Sequence, residues 1–310
     1  MNKKRSDFES MLFFSQREVM TFKKRNNLES TLSFPQRLTN YLFLAIIFSV
    51  MVIPMWNVIV ISTSTTLEAS HAGLKLWWSK FSLEGYRYVF EVTKLGRPFL
   101  NSIYVSLSST IIQVILSSLA GYILVQSELP FRGVITSFIL LTMMIPGDLT
   151  LISIYQLNKQ LGLLNSYTGL IVNGLVSGFC ILLMRNYFLS VPVSLAESAR
   201  LDGAGELKIF WGIYLPLSIP GLATIFFLEF VGRWNSLMIP VTLITKQELY
   251  TLPQMLKSMI LNYGSVSGAP PAPDNAAMAA IVISTIPLIL IYIFAQRFLL
   301  SGMTLGASKE

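Results

Sequence analysis

The residues with the most informative spacing lie between two apolar segments, in a stretch at about residues 188–221. There Glu197-Ser198-Ala199 is followed after three residues by Gly203, and after nine more by Ile213-Tyr214-Leu215-Pro216. These residue types suit a short rigid helix and a turn better than they suit a catalytic centre. Such a helix, seated in a moving partner, can transmit a rigid-body displacement to the segments attached to it.

Local signals predict the bounds of this helix. Ser194 and Glu197 have the S-x-x-E spacing of a capping box, in which each side chain bonds the other residue's amide. The helix should therefore start at Ser194, and Asp202-Gly203-Ala204-Gly205 should end it, because these residues tolerate a left-handed turn. The segment 194–205 is predicted to lie across the membrane face and to bend into another helix.

The composition indicates which elements position this segment. Of 310 residues, 53% are hydrophobic and 13% are charged, whereas soluble domains carry about 25% charged residues, so a typical soluble enzyme is excluded. A transmembrane helix needs about 20 apolar residues. Six intervals qualify, at approximately 38–61, 99–125, 133–156, 164–184, 209–232 and 276–296. The predicted fold class is an all-α integral membrane protein with six transmembrane helices, each continuous.

Basic residues predict the orientation and the domain organisation. Eight of the 23 Lys and Arg residues precede the first span, which places the N-terminus, and after six spans the C-terminus, in the cytoplasm. The loop at 62–97 falls outside, where its aromatic residues favour the membrane interface. We predict a basic tail at 1–37, a transmembrane domain at 38–299 and a short cytoplasmic tail at 300–310. This charge bias and contact with anionic lipids explain the net charge of +7 without nucleic acid.

The N-terminal tail contains an internal duplication. Residues 2–17 and 22–37 share KKR, ES, L, F and QR in the same order. A tandem duplication of the start of the gene would explain this match and would leave Met20 as a second possible initiator. Two successive amphipathic turns at the membrane interface are a compatible interpretation.

The spacing around Glu197 resembles the EAA signature of permease subunits of bacterial ATP-binding-cassette (ABC) importers, with Ser198 in place of an alanine. Most of residues 35–310 is also similar to the MalG-like branch of carbohydrate permeases, through segments such as MIPGDLTLISIYQLNKQLGLLNSYTGLI and FLEFVGRWNSLMIPVTLIT. The resemblance implies the type I importer permease fold in a bacterial inner membrane. It also implies a subunit that forms half of the translocation path for a carbohydrate, with oligosaccharides as the closest class.

The same resemblance implies residue roles and partners. The short helix would dock as a coupling helix on an ATPase, through Glu197, Ser198, Ala199, Asp202 and Gly203, while Ile213 and Pro216 would set the entry into the fifth span. The implied partners are a second, different permease, two cytoplasmic ATPase subunits, an extracytoplasmic sugar-binding protein and membrane lipids. The chain has no G-x-x-x-x-G-K-[ST] phosphate loop, so no cofactor is expected in it, and ATP and Mg would bind the ATPase subunits.

Polar side chains in or beside the apolar segments are candidates for the substrate path. Sugars are commonly bound by aromatic faces and amide groups, and the candidates of these types are Asn101, Gln113, Asn173, Trp234 and Asn235. Each could instead be an interfacial anchor or an interhelical hydrogen bond. Glu229 and Arg233 have the i,i+4 spacing of a helix ion pair, which we predict, with lining of the path as the alternative.

The remaining polar residues point to no catalytic or metal site. Asp148 is expected in an interfacial turn, His71 has no metal ligands beside it, and Cys180 is expected to pack in an apolar run. An ion-driven secondary transporter would need an acid at the bilayer midplane, and an intramembrane enzyme would need paired acids or a metal site. Neither pattern is present. Within importers, a non-sugar solute such as an amino acid or phosphate stays open, because the coupling segment is indifferent to cargo.

Overall fold

The computed structural model describes residues 33–71, 73–261 and 272–307, so the duplicated tail and Met20 lie outside the described residues. The described residues are helical, and their only strand-like pairing is an isolated bridge between Ser64 and Phe81. The helices of the first half are α1 (Phe34–Ser62), α2 (Thr66–Ala69), α3 (Glu84–Glu91), α4 (Gly96–Ile123), α5 (Arg132–Met143), α6 (Leu151–Gln160) and α7 (Tyr167–Val172). Those of the second half are α8 (Gly178–Leu189), α9 (Val193–Leu201), α10 (Glu206–Ile209), α11 (Leu215–Leu217), α12 (Ile219–Trp234), α13 (Met238–Leu243), α14 (Leu252–Leu261) and α15 (Asp274–Ala307).

Three of the described helices are long and apolar enough to cross a bilayer: α1, α4 and the Asp274–Leu299 part of α15. Two bent pairs raise the number to five if each pair is one crossing. These pairs are α8 with α9, bent by 77°, and the segment Glu206–Leu217 with α12, bent by 79°. The predicted spans 38–61 and 276–296 lie within α1 and α15, and α4 overlaps the predicted span 99–125.

The chain divides into two units, one ending at Asn57 and one beginning at Val58. The described part of the first unit is residues 33–57, which include most of α1, and apolar side chains there such as Phe43, Ile46 and Met51 are more than half exposed. A helix that is apolar on its outer surface suits a lipid environment, since lipid tails impose no penalty on exposed apolar groups.

The prediction of continuous helices at 133–156 and 164–184 is wrong. α5 ends at Met143, and a 3₁₀ turn at Gly147–Thr150 precedes α6. Pro146 lies in this break, where it supplies no amide donor and disfavours helix at the residue before it. In the fourth interval α7 ends at Val172, because Gly174 has a φ of +76°, a left-handed conformation through which a right-handed helix cannot continue.

The fifth predicted helix, at 209–232, is also interrupted. Residues Phe210–Tyr214 form a π-helical turn, and the chain bends by 79° where α11 meets α12. Pro216 and Pro220 lie on either side of this bend. A proline inside a helix removes one backbone hydrogen bond and clashes with the preceding turn, so sharp bends are common there.

α4 is the central helix of the second unit. Its buried face carries small polar residues and a glycine, namely Ser102, Ser106, Ser109, Thr110, Ser117, Ser118 and Gly121. Small residues let neighbouring helices approach closely in membrane proteins. A Cβ on Gly121 would lie 3.0 Å from the Cβ of Met184 and 3.0 Å from the amide nitrogen of Arg185, so α4 and α8 are in close contact there.

Apolar clusters lie near both ends of α4. At its N-terminal end, Leu95 and Phe99 pack with Phe230 and Trp234 of α12. At its C-terminal end, Tyr122 packs in an aromatic cluster with residues of α8 and the π-helical turn, namely Phe188, Phe210 and Tyr214. Because each cluster joins α4 to other helices, the two together fix α4 relative to α8 and α12.

Candidate functional site

The short helix that carries the EAA-like residues is α9, and its start differs from the prediction. α9 begins at Val193, directly after Pro192 at the N-cap, and no side-chain capping hydrogen bond is present. The predicted capping box between Ser194 and Glu197 is therefore wrong. Since Pro192 occupies the N-cap position, Ser194 lies inside the first helical turn and cannot cap it.

The predicted left-handed turn at the end of this helix is confirmed. Gly203 has a φ of +80°, directly after the C-cap residue Asp202. The amides of Gly203 and Ala204 donate to the carbonyls of Arg200, at 3.0 Å, and Ala199, at 2.9 Å. These are the two hydrogen bonds of a Schellman motif, which fixes the direction in which the chain leaves α9.

α9 has a buried face and an exposed face. Ala196 is fully buried and Ala199 is partly buried, both against the aromatic cluster around Tyr122. The exposed face mixes apolar and acidic groups and is made by Val193, Glu197, Ser198, Leu201 and Asp202. Leu201 on this face is 89% exposed. Beyond α9, Ile213 is partly buried and Pro216 is exposed near the bend.

A polar cluster between α9 and α4 was missed by the sequence analysis. It consists of Tyr122, Gln126, Arg200 and Glu206, and we call it the polar clamp. The pKa of the Glu206 carboxyl is lowered, because Arg200 and Tyr122 both donate hydrogen bonds to it. Arg200 and Glu206 are six positions apart, outside the i,i+3 and i,i+4 spacings by which sequence predicts ion pairs.

A cavity of about 630 Å³ lies where three helical segments are interrupted. Its lining includes Gly147 from the break before α6, Asn173 and Gly174 from the break before α8, and Ser236 from the break after α12. In membrane proteins, irregular backbone is tolerated where it lines a cavity or is buried in protein, and interrupted helices form the binding sites of many transporters. This arrangement suits the passage of a polar solute.

Arg233 holds one wall of the cavity together. Its guanidinium donates to the backbone carbonyl of Asn173 at 2.5 Å, to that of Gly174, and to Oε1 of Gln113 at 2.9 Å. A Cβ on Gly174 would lie 3.1 Å from Nη2 of Arg233, so this position needs glycine for space as well as for its φ. The Asn173 side chain is bonded in turn to that of Asn158, at 3.1 Å and 3.3 Å. The network joins α12 to α4 and to the break before α8.

The prediction of an ion pair between Glu229 and Arg233 is wrong. The structure describes both residues, and each side chain bonds a different partner. Glu229 instead accepts a hydrogen bond from Sγ of Cys180 at 2.8 Å. Arg233 is directed to the carbonyls at the C-terminal end of α7, where the helix dipole favours a cation. Both side chains line the cavity, as the alternative interpretation expected. Cys180 is fully buried, in agreement with a packing role.

The structure brings two of the five predicted path residues, Gln113 and Asn173, to the cavity. Asn101 lies elsewhere: it donates to the carbonyls of Glu248 and Tyr250, both at 3.0 Å, as the alternative of an interhelical hydrogen bond expected.

The other two predicted path residues are at the end of α12. Trp234 is buried, stacks on Phe230 at 5.8 Å and donates its indole N–H to the carbonyl of Ser284 at 3.0 Å. Asn235 is exposed and bonds back to the carbonyl of Val231 at 3.0 Å. Trp234 therefore joins α12 to α15, and Asn235 ends α12.

The loop between α1 and α4 is folded by acidic side chains. Glu68 accepts from the amide of Ser79 at 2.7 Å, and Glu84 accepts from the amide of Thr66 at 3.0 Å. These amide donors lower the pKa of both carboxyls. His71 bonds through Nδ1 to the carbonyl of Leu67 at 2.8 Å. Among the described residues, no group of three His, Cys, Asp or Glu side chains could hold a metal ion.

A helical chain with several apolar helices, a cavity at helix breaks and a short exposed helix between two bends defines a multi-pass membrane protein of the transporter-permease class. The family follows from the sequence. Residues 113–305 match the family of binding-protein-dependent transport system inner membrane components, and the chain belongs to it. The family consists of transport components of ABC importers. The interpretations as an ion-driven carrier or an intramembrane enzyme are therefore set aside.

Two relatives match over most of the chain. The polygalacturonan/rhamnogalacturonan transport system permease protein YtcP of Bacillus subtilis is 32% identical over 277 residues, which cover 87% of this chain and 96% of the relative. The arabinooligosaccharides transport system permease protein AraQ of Halalkalibacterium halodurans is 29% identical over 268 residues, covering 86% and 94%.

A solved structure confirms the fold. A chain of a bacterial ABC transporter involved in the import of the acidic polysaccharide alginate matches with a TM-score of 0.78 and 26% sequence identity, over 86% of this chain and 99% of that chain. The predicted all-helical fold class and the type I importer permease fold are confirmed.

Proposed function

We propose that this chain is a permease subunit of an ATP-driven importer of carbohydrates, with oligosaccharides as the substrate class, and that it forms half of the translocation path. The observation that carries the proposal is the cavity at the three helix breaks, in a chain whose relatives are named as permeases for polygalacturonan/rhamnogalacturonan and for arabinooligosaccharides. The similar solved structure belongs to an importer of a polysaccharide.

The chemistry of the cavity supports a hydroxyl-rich substrate. Its wall combines amide, hydroxyl and charged groups, including Gln113, Ser177, Glu229 and Ser236, with apolar residues such as Ile239. Sugars present both hydroxyl groups and apolar CH faces, so a mixed wall can contact both. In this proposal Gln113 and Asn173 hold the wall, since the Gln113 side chain is bonded to Arg233 and the Asn173 side chain to Asn158.

The exposed face of α9 supports the second part of the proposal, in which the chain couples to ATPase subunits. Glu197, Ser198, Ala199, Asp202 and Gly203 form the docking helix and its turn, and Ile213 and Pro216 set the entry into the bent segment before α12. ATP and Mg bind the ATPase subunits, so this chain supplies the docking helix and no nucleotide ligand. The complete importer in this proposal contains a second permease, two ATPases and an extracytoplasmic sugar-binding protein, with both termini of this chain in the cytoplasm.

Co-purification with a matched pair of proline variants tests the proposal. Gly203→Pro places proline where φ is +80°, which its ring forbids, whereas Gly205→Pro places it where φ is −73°, close to the value that proline requires. The tagged chain is purified from its native membrane in mild detergent, and mass spectrometry identifies its partners. Isothermal titration of the recovered binding protein with trigalacturonate, arabinotriose and glycerol 3-phosphate then tests the substrate class.

We expect wild type and Gly205→Pro to retain an ATPase, a second permease and a sugar-binding protein, and Gly203→Pro to lose the ATPase selectively. A chain that purifies alone, or an ATPase that stays bound in Gly203→Pro, would contradict the coupling assignment. A binding protein that takes glycerol 3-phosphate but neither oligosaccharide would contradict the carbohydrate assignment.

A further inference from the structure

We infer that the polar clamp of Tyr122, Gln126, Arg200 and Glu206 is a second connection through which α9 moves α4, in addition to the covalent path from α9 through α10 into α12. The inference rests on the proposed function, because it assigns positioning residues to the coupling of α9 with an ATPase. It also explains why a helix as short as α9 carries an arginine on the side that faces the membrane-spanning helices.

The central pair of the clamp, Arg200 and Glu206, makes a two-point contact. Arg200 donates two hydrogen bonds to Glu206, from Nε to Oε1 at 2.7 Å and from Nη2 to Oε2 at 3.2 Å. A two-point contact of this kind fixes the relative orientation of its partners, which a single lysine contact would not. The pair thus closes the turn at 202–205 with a side-chain bridge, so that α9 and α10 are held as one piece.

Two further hydrogen bonds join α9 and α10 to α4. The Tyr122 hydroxyl donates to Oε2 of Glu206 at 2.5 Å, and Arg200 Nη2 donates to Oε1 of Gln126 at 3.0 Å. Tyr122 is in the last turn of α4, and Gln126 follows the end of that helix. Two independent side-chain bonds therefore connect α9 and α10 to the end of a membrane-spanning helix that is distant from them in sequence.

Tyr122, the attachment point on α4, is held rigidly by its neighbours. The Tyr122 ring is 6% exposed, and it packs on Phe210 at 5.2 Å and Tyr214 at 4.9 Å between ring centroids. The preceding residue, Gly121, allows α4 to contact α8 closely. A displacement of the clamp therefore cannot be absorbed by rotation of Tyr122. It is passed to α4 and α8 together, and α4 carries Gln113 of the cavity wall.

The experiment uses Tyr122→Phe, which removes the clamp hydroxyl and keeps the ring. Tyr214→Phe is the matched control, because its hydroxyl belongs to the same aromatic cluster but bonds to no described residue. Each full complex is compared without nucleotide and after trapping with ATP and vanadate. Hydrogen–deuterium exchange then follows peptides over 193–209, which contain α9 and α10, and over 120–131, which contain the last turn of α4 and the residues after it.

In wild type and Tyr214→Phe we expect trapping to change exchange in both peptides. In Tyr122→Phe the change over 193–209 should persist while the change over 120–131 is lost, and ATPase subunits should still co-purify. A Tyr122→Phe complex that keeps both changes would overturn the clamp, as would a wild type that changes only over 193–209. Loss of the ATPase from Tyr122→Phe would also overturn it, whereas a wild type that recovers no ATPase would overturn the proposed function itself.

Discussion

Two glycines in the left-handed conformation allow the cavity wall and the turn after α9 to be perturbed by the same substitution. Gly174 has a φ of +76° and Gly203 a φ of +80°. Alanine in this conformation costs about 1–2 kcal/mol relative to glycine. At Gly203 that is the whole cost, because a Cβ would meet no atom within 4 Å.

At Gly174 the Cβ would also lie 3.1 Å from Nη2 of Arg233, so the guanidinium must shift by a few tenths of an ångström, which strains its hydrogen bonds to the carbonyls. A hydrogen bond to a charged group contributes about 1.5–3 kcal/mol. We therefore expect Gly174→Ala to destabilise the chain by more than the roughly 1–2 kcal/mol of Gly203→Ala, and by up to about 5 kcal/mol where one of these hydrogen bonds is lost.

Titration of the purified full chain with SDS in mixed micelles, followed by tryptophan fluorescence, measures both free energies of unfolding. Gln113→Leu is the companion variant, because it removes the side-chain acceptor of Arg233 and leaves the backbone glycine in place. In its background the difference between Gly174→Ala and Gly203→Ala should shrink. Equal losses for the two glycine variants in the wild-type background would refute the assigned role of Arg233.

Three further outcomes are expected. Leu201→Ser should leave the free energy of unfolding within about 0.5 kcal/mol of wild type and weaken co-purification of the ATPase, because this side chain is exposed; a normal ATPase yield would contradict its place in the docking face. Gly221→Ala should cost about 1–3 kcal/mol in SDS titration, since its Cβ would lie 2.5 Å from the Tyr187 ring, and Tyr187→Leu should reduce that cost if the ring is responsible. The lowered pKa of Glu206 means that its contribution to stability is present above the usual value of 4.5 and is lost as the pH falls through the lowered pKa; Glu206→Gln should flatten thermal stability against pH below 4.5, by a small amount because the group is half exposed, and a parallel curve would contradict this.

The long spans were predictable, and the interrupted ones were not, for a reason that the prolines illustrate. Pro54 and Pro287 lie inside α1 and α15 without ending them, whereas the helix stops before Pro146. The residue type is the same in each case. What differs is the context of each proline. A glycine follows Pro146 directly, and the segments pack differently, and a hydropathy average over an interval weighs neither.

The turn after α9 was predictable because it depends on local residues. Gly203 and its neighbours are within a few positions of one another, and their conformational preferences are intrinsic. The clamp joins Tyr122 to Glu206 across 84 positions, and the wall of the cavity joins Gln113 to Arg233 across 120. Contacts at such separations are set by helix packing, so single-sequence spacing could name Gln113 as a candidate but not its partner.

The shortness of α5 has a consequence for the biogenesis of the protein. α5 has 12 residues and so extends about 18 Å, well below the roughly 30 Å of a hydrocarbon core. Its C-terminal part lies against the start of α8, where a Cβ on Gly178 would approach Met143 to 2.9 Å. Because the chain is synthesised from its N-terminus, α5 is complete before α8, its packing partner. We therefore expect stable membrane integration of α5 to require α8, as a cooperative event between two helices rather than a separate step for each.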